Sequence, residues 1–292
     1  MRSYKLVSFS LILIFVSLFL LPNLFSKKNN YHANNIRIKG SDTVIELVQI
    51  WTEKFISKNP EFNISIAGGG SGVGFAALIN GTCDIVMSSR KIDSNEIKLA
   101  KVKNINPTEF EIGSDGLAVI INRNNPIKKL TVAQLSDIFT GEIFNWKKLG
   151  WINKKIVILS RENNSGTYIF FKNKILKKNN IHNEFSSDAL MMTSSQAIYN
   201  EIAQNPNAIG YVSLGFVNNK IKSVSIKSTN GKNYILPTVQ NVMNNTYPIS
   251  RPLYIYTNGA PKGHIKKFIN YILSNEGQNI ILKIGFIPIK QT

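Results

Sequence analysis

Residues 36–90 read IRIKGSDTVIELVQIWTEKFISKNPEFNISIAGGGSGVGFAALINGTCDIVMSSR, and the spacing of apolar residues along them decides the fold. Ile36-Arg37-Ile38-Lys39 alternates as a strand does. From Ser41 the period lengthens: Val44, Leu47, Val48, Trp51 and Phe55 share one face of a helix that Pro60 stops. NISIAGG (63–69) is a second strand, GVGFAALING (72–81) a short helix and CDIVMSS (83–89) a third strand. Strands alternating with helices imply an α/β chain, with a parallel-type sheet covered by helices on both faces.

The alternation resumes after the apolar run GLAVIIN (116–122). LTVAQLSDIFTG (130–141) is a helix closed by Gly141, KIVILSR (155–161) a strand and SGTYIFFKNKIL (165–176) a helix. AIGYVSLGF (208–216) is a strand and turn, RPLYIYTNG (251–259) a strand, and residues 264–289 return to helix. No Gly/Ser-rich linker separates the two units. They are expected to be two lobes with a ligand cleft between them, lobe I at 36–118 and 248–292 and lobe II at 119–247. Strands crossing near Gly116–Ile121 and Tyr247–Tyr256 would join them.

The first 26 residues stand apart. Arg2 and Lys5 precede an uncharged run from Leu6 to Leu21, which breaks at Pro22. This is the layout of a secretory signal peptide, and the run is short of the roughly 20 residues of a spanning helix. No Ala-x-Ala cleavage pattern follows, so a retained N-terminal membrane anchor is the alternative. Residues 27–35 read as a polar tether. The expected location is periplasmic or otherwise extracytoplasmic. Cys83 is the single cysteine, so apolar cores and not disulfides must hold the fold, and it reads as a small buried residue.

The chain carries 35 Lys and Arg against 17 Asp and Glu. The lysines come as scattered pairs without a dense block, which argues for a solvated basic surface and against nucleic acid as partner. Such a field draws small anions toward a cleft.

Three strand ends run into small hydroxylic or glycine residues and then a helix: Gly40-Ser41-Asp42-Thr43, Gly68-Gly69-Gly70-Ser71-Gly72, and Ser160-Arg161 leading to Ser165-Gly166-Thr167. Helix N-termini expose unpaired N–H groups, glycine lets an oxyanion approach the backbone, and hydroxyls donate further bonds. Ser41 could equally be a plain N-cap, and a Gly-rich turn often serves geometry alone. Arg161 makes the third motif the most specific, because a guanidinium grips an oxyanion bidentately. Ser89 and Arg90 add donors at the end of the third strand, where ligands bind in open α/β sheets. Catalytic patterns are missing. Position 73 is Val, which rules out a G-x-S-x-G elbow. No P-loop or dinucleotide fingerprint occurs, and His32, His182 and His264 are isolated. No cofactor or metal is expected.

GSDT, GGGSGVGFAAL, DIVMSSR, DGLAVIIN, LTVAQLSDIFTGEIFNW, SRENNSGTYIFF, AIGYVSLGF, YPISRPLYIYT and SNEGQNIIL with GFIPI occur in this order. Through them the chain resembles the phosphate-binding protein of the bacterial phosphate ABC transporter, in the type II periplasmic-binding-protein superfamily. The resemblance implies a two-lobe fold closing over one phosphate, which is then passed to a membrane permease without chemistry, by a protein expected to be a monomer. Carried over by motif, the contacts would be Thr43 and the Val44 amide, Ser71, Arg161, Ser165, Gly166 and Thr167. Many family members carry an aspartate at the position of Ser89 that accepts the proton of hydrogen phosphate. Here Asp115 is the preferred substitute and Asp42 the second, and a pocket of donors alone, with no such acceptor, is the remaining alternative. Another tetrahedral oxyanion, an exported phosphatase and a surface adhesin are the competing functions.

Overall fold

The computed structural model describes residues 34–177 and 180–289. The expected signal or anchor, and the tether up to residue 33, lie outside the described residues. Strand β1 (Asn34–Gly40), helix α1 (Ile45–Lys58), β2 (Phe62–Ala67), α2 (Ser71–Ile79) and β3 (Ile85–Ser88) follow the order that the apolar spacing predicts. All five apolar residues assigned to the first helix face are buried. The helix stops at Lys58, two residues before Pro60, because proline disfavours helical backbone in the residue before it.

The chain continues through α3 (Ser94–Val102), β4 (Pro107–Asn122), β5 (Lys129–Thr131), α4 (Val132–Thr140) and β6 (Val157–Arg161). It then forms α5 (Gly166–Phe171), β7 (Leu190–Met192), α6 (Ser195–Gln204), β8 (Ala208–Ser213), β9 (Ile221–Ser223) and β10 (Ser225–Lys227). Last come α7 (Val239–Met243), β11 (Ser250–Asn258), α8 (Gly263–Leu273) and α9 (Asn275–Lys283). The C-terminal stretch makes two helices where the sequence reads as one. Ser274 is extended, and its hydroxyl accepts from the Gly277 amide at 3.3 Å, which caps the second helix.

The main sheet has the order β2-β1-β3-β11-β4-β8-β6-β7, with β9 on the end of β4. It is mixed, which corrects the parallel-type expectation. β1 and β3 are parallel, as are β6 with β8 and with β7. β11 is antiparallel to both β3 and β4, and β4 is antiparallel to β8. The cause lies in the path of the chain: β4 and β11 run side by side in opposite directions through the middle of the sheet.

Two large apolar clusters flank that pair. One gathers Ile36, Trp51, Ile85, Ile112, Leu253 and Phe268. The other gathers Leu117, Leu135, Phe139, Trp146, Tyr211 and Ile249. Each fully buried side chain of this size contributes about 1.5–3 kcal/mol. β4 passes from the first cluster to the second between Ile112 and Leu117, and the chain passes back between Ile249, just before β11, and Leu253 within it. Asp115 and Arg251 lie opposite each other at this passage.

Cys83 is buried, and burial pushes its thiol up to about 12. It is therefore a protonated packing residue at neutral pH. Among the described residues no helix is long and apolar enough to cross a membrane.

Candidate anion site

β1 ends at Gly40 with φ +141°, and a Cβ there would strike the Met87 carbonyl oxygen of β3. Only glycine lets the two parallel strand ends close so tightly. The next amide, Ser41, donates to that same carbonyl at 2.8 Å. This turns the Ser41-Asp42-Thr43 loop across the end of β3. The Ser41 hydroxyl donates to Ser89 Oγ at 2.9 Å, and Ser71 Oγ lies 3.4 Å from Ser89 Oγ. The Ser89 amide donates to Ser71 Oγ at 3.2 Å. Three serines from three different strand ends thus form one buried hydroxyl group.

The loop after β6 comes against them. Ser165 caps α5 by accepting from the Thr167 amide at 3.2 Å. Thr167 Oγ1 lies 2.8 Å from Thr43 Oγ1, and the Gly72 amide donates to the Asn164 carbonyl at 3.0 Å. A Cβ at Gly166 would sit 2.7 Å from Ser89 Oγ and would strike Ser71 Oγ. The sequence signal of hydroxyls and glycine at strand ends therefore has a steric origin, since backbone and hydroxyls from both sides share one small volume.

Arg161 ends β6 fully buried. Its Nη2 donates to Asp42 Oδ2 at 2.6 Å and to the Thr193 carbonyl at 2.9 Å. Nη1 reaches Ser195 Oγ at 3.3 Å, and Nε the Met192 carbonyl at 3.3 Å. Behind it, Tyr211 stacks on Phe171 with centroids 4.0 Å apart and bonds Ser160 Oγ at 2.7 Å. Burial pushes the Tyr211 phenol up, so it stays neutral. Asp42 Oδ1 also accepts from the Gly69 amide at 3.0 Å, which ties the first two motifs together.

A second ion pair lies at the passage between the clusters. Arg251 Nε and Nη2 donate to Asp115 Oδ2 at 3.3 and 3.1 Å. Asp115 Oδ1 accepts from Ser213 Oγ at 2.7 Å and from the Leu214 amide at 3.3 Å. Burial pushes the Asp115 carboxyl up and the Arg251 guanidinium down, and their mutual attraction opposes both shifts. Arg251 Nη2 also reaches Thr167 Oγ1 at 3.1 Å and Thr43 Oγ1 at 3.4 Å. A cavity of about 500 Å³ opens alongside, lined in part by Ser89, Phe170, Arg251 and Tyr254.

Ser41, Thr43, Ser71, Ser89, Ser165, Gly166 and Thr167 are thus brought together, with Arg161 joined to them through Asp42. Three expectations change. Arg90 is held by Glu96 at 2.6 and 2.7 Å, because Glu96 folds back in the capping box that Asp93 opens at α3. Its charge is spent there. The Val44 amide donates to the Ser41 carbonyl at 3.2 Å and its side chain is in the core. Asp115 already accepts four bonds, which fills the lone-pair directions of a carboxylate and leaves none for a ligand proton. Sequence reasoning missed Arg251. Its signal was an arginine at the start of β11, just ahead of the apolar run that begins at Leu253, and its meaning depends on its register opposite Asp115.

The model of the PBP superfamily domain matches residues 27–276. Over 274 residues the chain is 31% identical to phosphate-binding protein PstS of Pseudomonas aeruginosa, covering 88% of this chain and 84% of that one. The chain belongs to the PstS family of the PBP superfamily. Another PstS relative, from Staphylococcus epidermidis, is 34% identical over 249 residues, covering 82% of this chain and 74% of that one. Among solved structures, one from Clostridium perfringens is described as a phosphate ABC transporter substrate-binding protein with bound phosphate. It superposes with a TM-score of 0.79 at 34% identity, covering 88% of this chain and all of that one. An ABC-type phosphate transport receptor from Vibrio cholerae gives a TM-score of 0.67 at 30% identity, covering 86% and 99%. The PBP match spans every loop of the hydroxyl cluster and Arg251.

Gly166→Ala tests the closeness of the two sides directly. The added methyl should push residues 164–167 off Ser71 and Ser89 and weaken the bond from the Gly72 amide. Hydrogen exchange at Gly72 should then speed up by about tenfold or more, equivalent to about 1.4 kcal/mol of local opening. Exchange at the native rate would mean that the cluster tolerates a side chain there.

Proposed function

We propose that this PstS-family chain is an extracytoplasmic binding protein that captures inorganic phosphate in the hydroxyl cluster and hands it to the membrane permease of an ABC importer. Lobe I (36–118 and 248–292) and lobe II (119–247) close on the anion, and the protein acts as a monomer. It is either released or held at the membrane by its N-terminal segment.

The observation that carries this reading is the convergence of Ser41, Thr43, Ser71 and Ser89 with Ser165-Gly166-Thr167 beside the buried Arg161. A tetrahedral oxyanion needs donors on several sides. Here hydroxyls that bond one another can exchange those bonds for stronger ones to an anion. A guanidinium adds the compensating charge. Among the described residues no histidine bonds to these hydroxyls. The excess of lysine and arginine supports fast capture of an anion.

Selectivity needs an acceptor as well as donors. Hydrogen phosphate carries a proton that sulfate lacks, and only a group with a free lone pair can use the difference. Asp115 has none to offer. Asp42 accepts one bond on each oxygen, keeps acceptor capacity and lies between two cluster residues, so it takes the discriminating role in this reading.

Two measurements test these assignments. Calorimetric titration should give phosphate binding by the native protein and a loss of roughly 100-fold or more in Arg161→Ala, since breaking a buried charge pair costs on the order of 3–5 kcal/mol. Near-native affinity would remove Arg161 from the site. In competition assays the native protein should exclude sulfate at large excess, and Asp42→Asn should lose much of that preference. Equal competition by sulfate in both proteins would leave a donor-only pocket and withdraw phosphate specificity.

A further inference from the structure

We infer that Arg251 is a second guanidinium of the anion site, presented from the strand pair that joins the two lobes and held in place by Asp115. The inference rests on the phosphate-binding reading and adds to it a charged contact carried by neither strand-end loop.

Arg251 retains 4% of its surface and Asp115 none. Yet the pair is not closed on itself. Asp115 is saturated by Arg251, Ser213 and Leu214, whereas Arg251 still has its Nη1 buried and without a hydrogen-bond partner among the described residues. A buried donor left unmade forfeits its full hydration, and natural folds rarely tolerate one without a role. An ion pair kept for stability alone is also weakly motivated, because apolar residues of similar volume generally do as well.

The surroundings say what Arg251 is for. Its Nη2 touches Thr43 Oγ1 from the loop after β1 and Thr167 Oγ1 from the start of α5, the two hydroxyls that meet from opposite sides of the cluster. The guanidinium carbon lies 5.3 Å from the centre of the Phe170 ring, which fixes its plane. Arg251 and Ser89 line the adjoining cavity as well as the cluster. The guanidinium therefore stands where an oxyanion between Thr43 and Thr167 would need countercharge. Asp115 acts as a positioning residue that fixes Nε and Nη2 and leaves the rest of the fork for the ligand. Because Arg251 sits on β11 opposite β4, a bound anion would engage the joining strands directly, along with the two faces that close on it.

The test uses the full-length exported protein. Native protein is first titrated with inorganic phosphate by calorimetry. Absence of binding there would overturn the phosphate reading itself. With native binding established, Arg251→Gln should weaken phosphate affinity by at least tenfold while Arg251→Lys recovers part of the loss, because lysine restores charge without the fork. Gln and native proteins of equal affinity would overturn the inference and leave the phosphate reading intact. If the Gln variant does not fold, side-chain guanidinium NMR of the native protein decides the matter. The Arg251 resonances should shift on adding phosphate and stay put on adding chloride. Arg251 resonances unmoved by saturating phosphate would make Arg251 a purely structural partner of Asp115 and overturn the inference.

Discussion

Two guanidiniums buried beside one cluster of hydroxyls are the constraint from which the rest follows. Arg161 and Arg251 are close enough for the charge of one to oppose that of the other. Burying either without a carboxylate would be prohibitive. The chain supplies one carboxylate to each from a different element, Asp42 from the loop after β1 and Asp115 from the middle of β4. That requirement explains features that look unrelated. β1 must end against β3 at Gly40 so that Asp42 can reach across to β6. β4 and β11 must be antiparallel neighbours so that Asp115 faces Arg251. The serines and threonines then occupy the space between the two pairs.

Among the described residues, polar contacts join the two sides of the cluster: Asp42 with Arg161, Thr43 with Thr167, Arg251 with Thr167, and the Gly72 amide with Asn164. The two large apolar clusters of the described residues lie to either side of the β4–β11 passage. Such a seam opens at far lower cost than a packed core. Its groups are also those that an oxyanion would bond. A ligand held by both sides shifts the population toward closure by its differential affinity for the two states.

Much of this was legible in the sequence because it rests on local spacing. The period-3.6 face from Val44 to Phe55, the Gly141 stop and the hydroxyl-rich strand ends each report a backbone need that neighbouring residues fix. The rest depends on who faces whom. The mixed sheet was not legible, since apolar runs such as GLAVIIN do not reveal strand direction. Asp115 directly precedes the apolar run GLAVIIN in the sequence, yet it lies in the middle of a 16-residue strand under four donors. Arg90 looked like a donor because Glu96, six residues on, gives no sign in sequence that its capping turn brings it back. Arg251 acquires meaning only through cross-strand register.

The central claim is that phosphate binds between the two lobes and is embraced by both. Small-angle scattering of the protein with and without phosphate tests it most directly, with chloride as the control anion. The account predicts a smaller radius of gyration in phosphate and none of that change in chloride. A profile unchanged by saturating phosphate would contradict closure over the anion and require a site lying on one lobe alone.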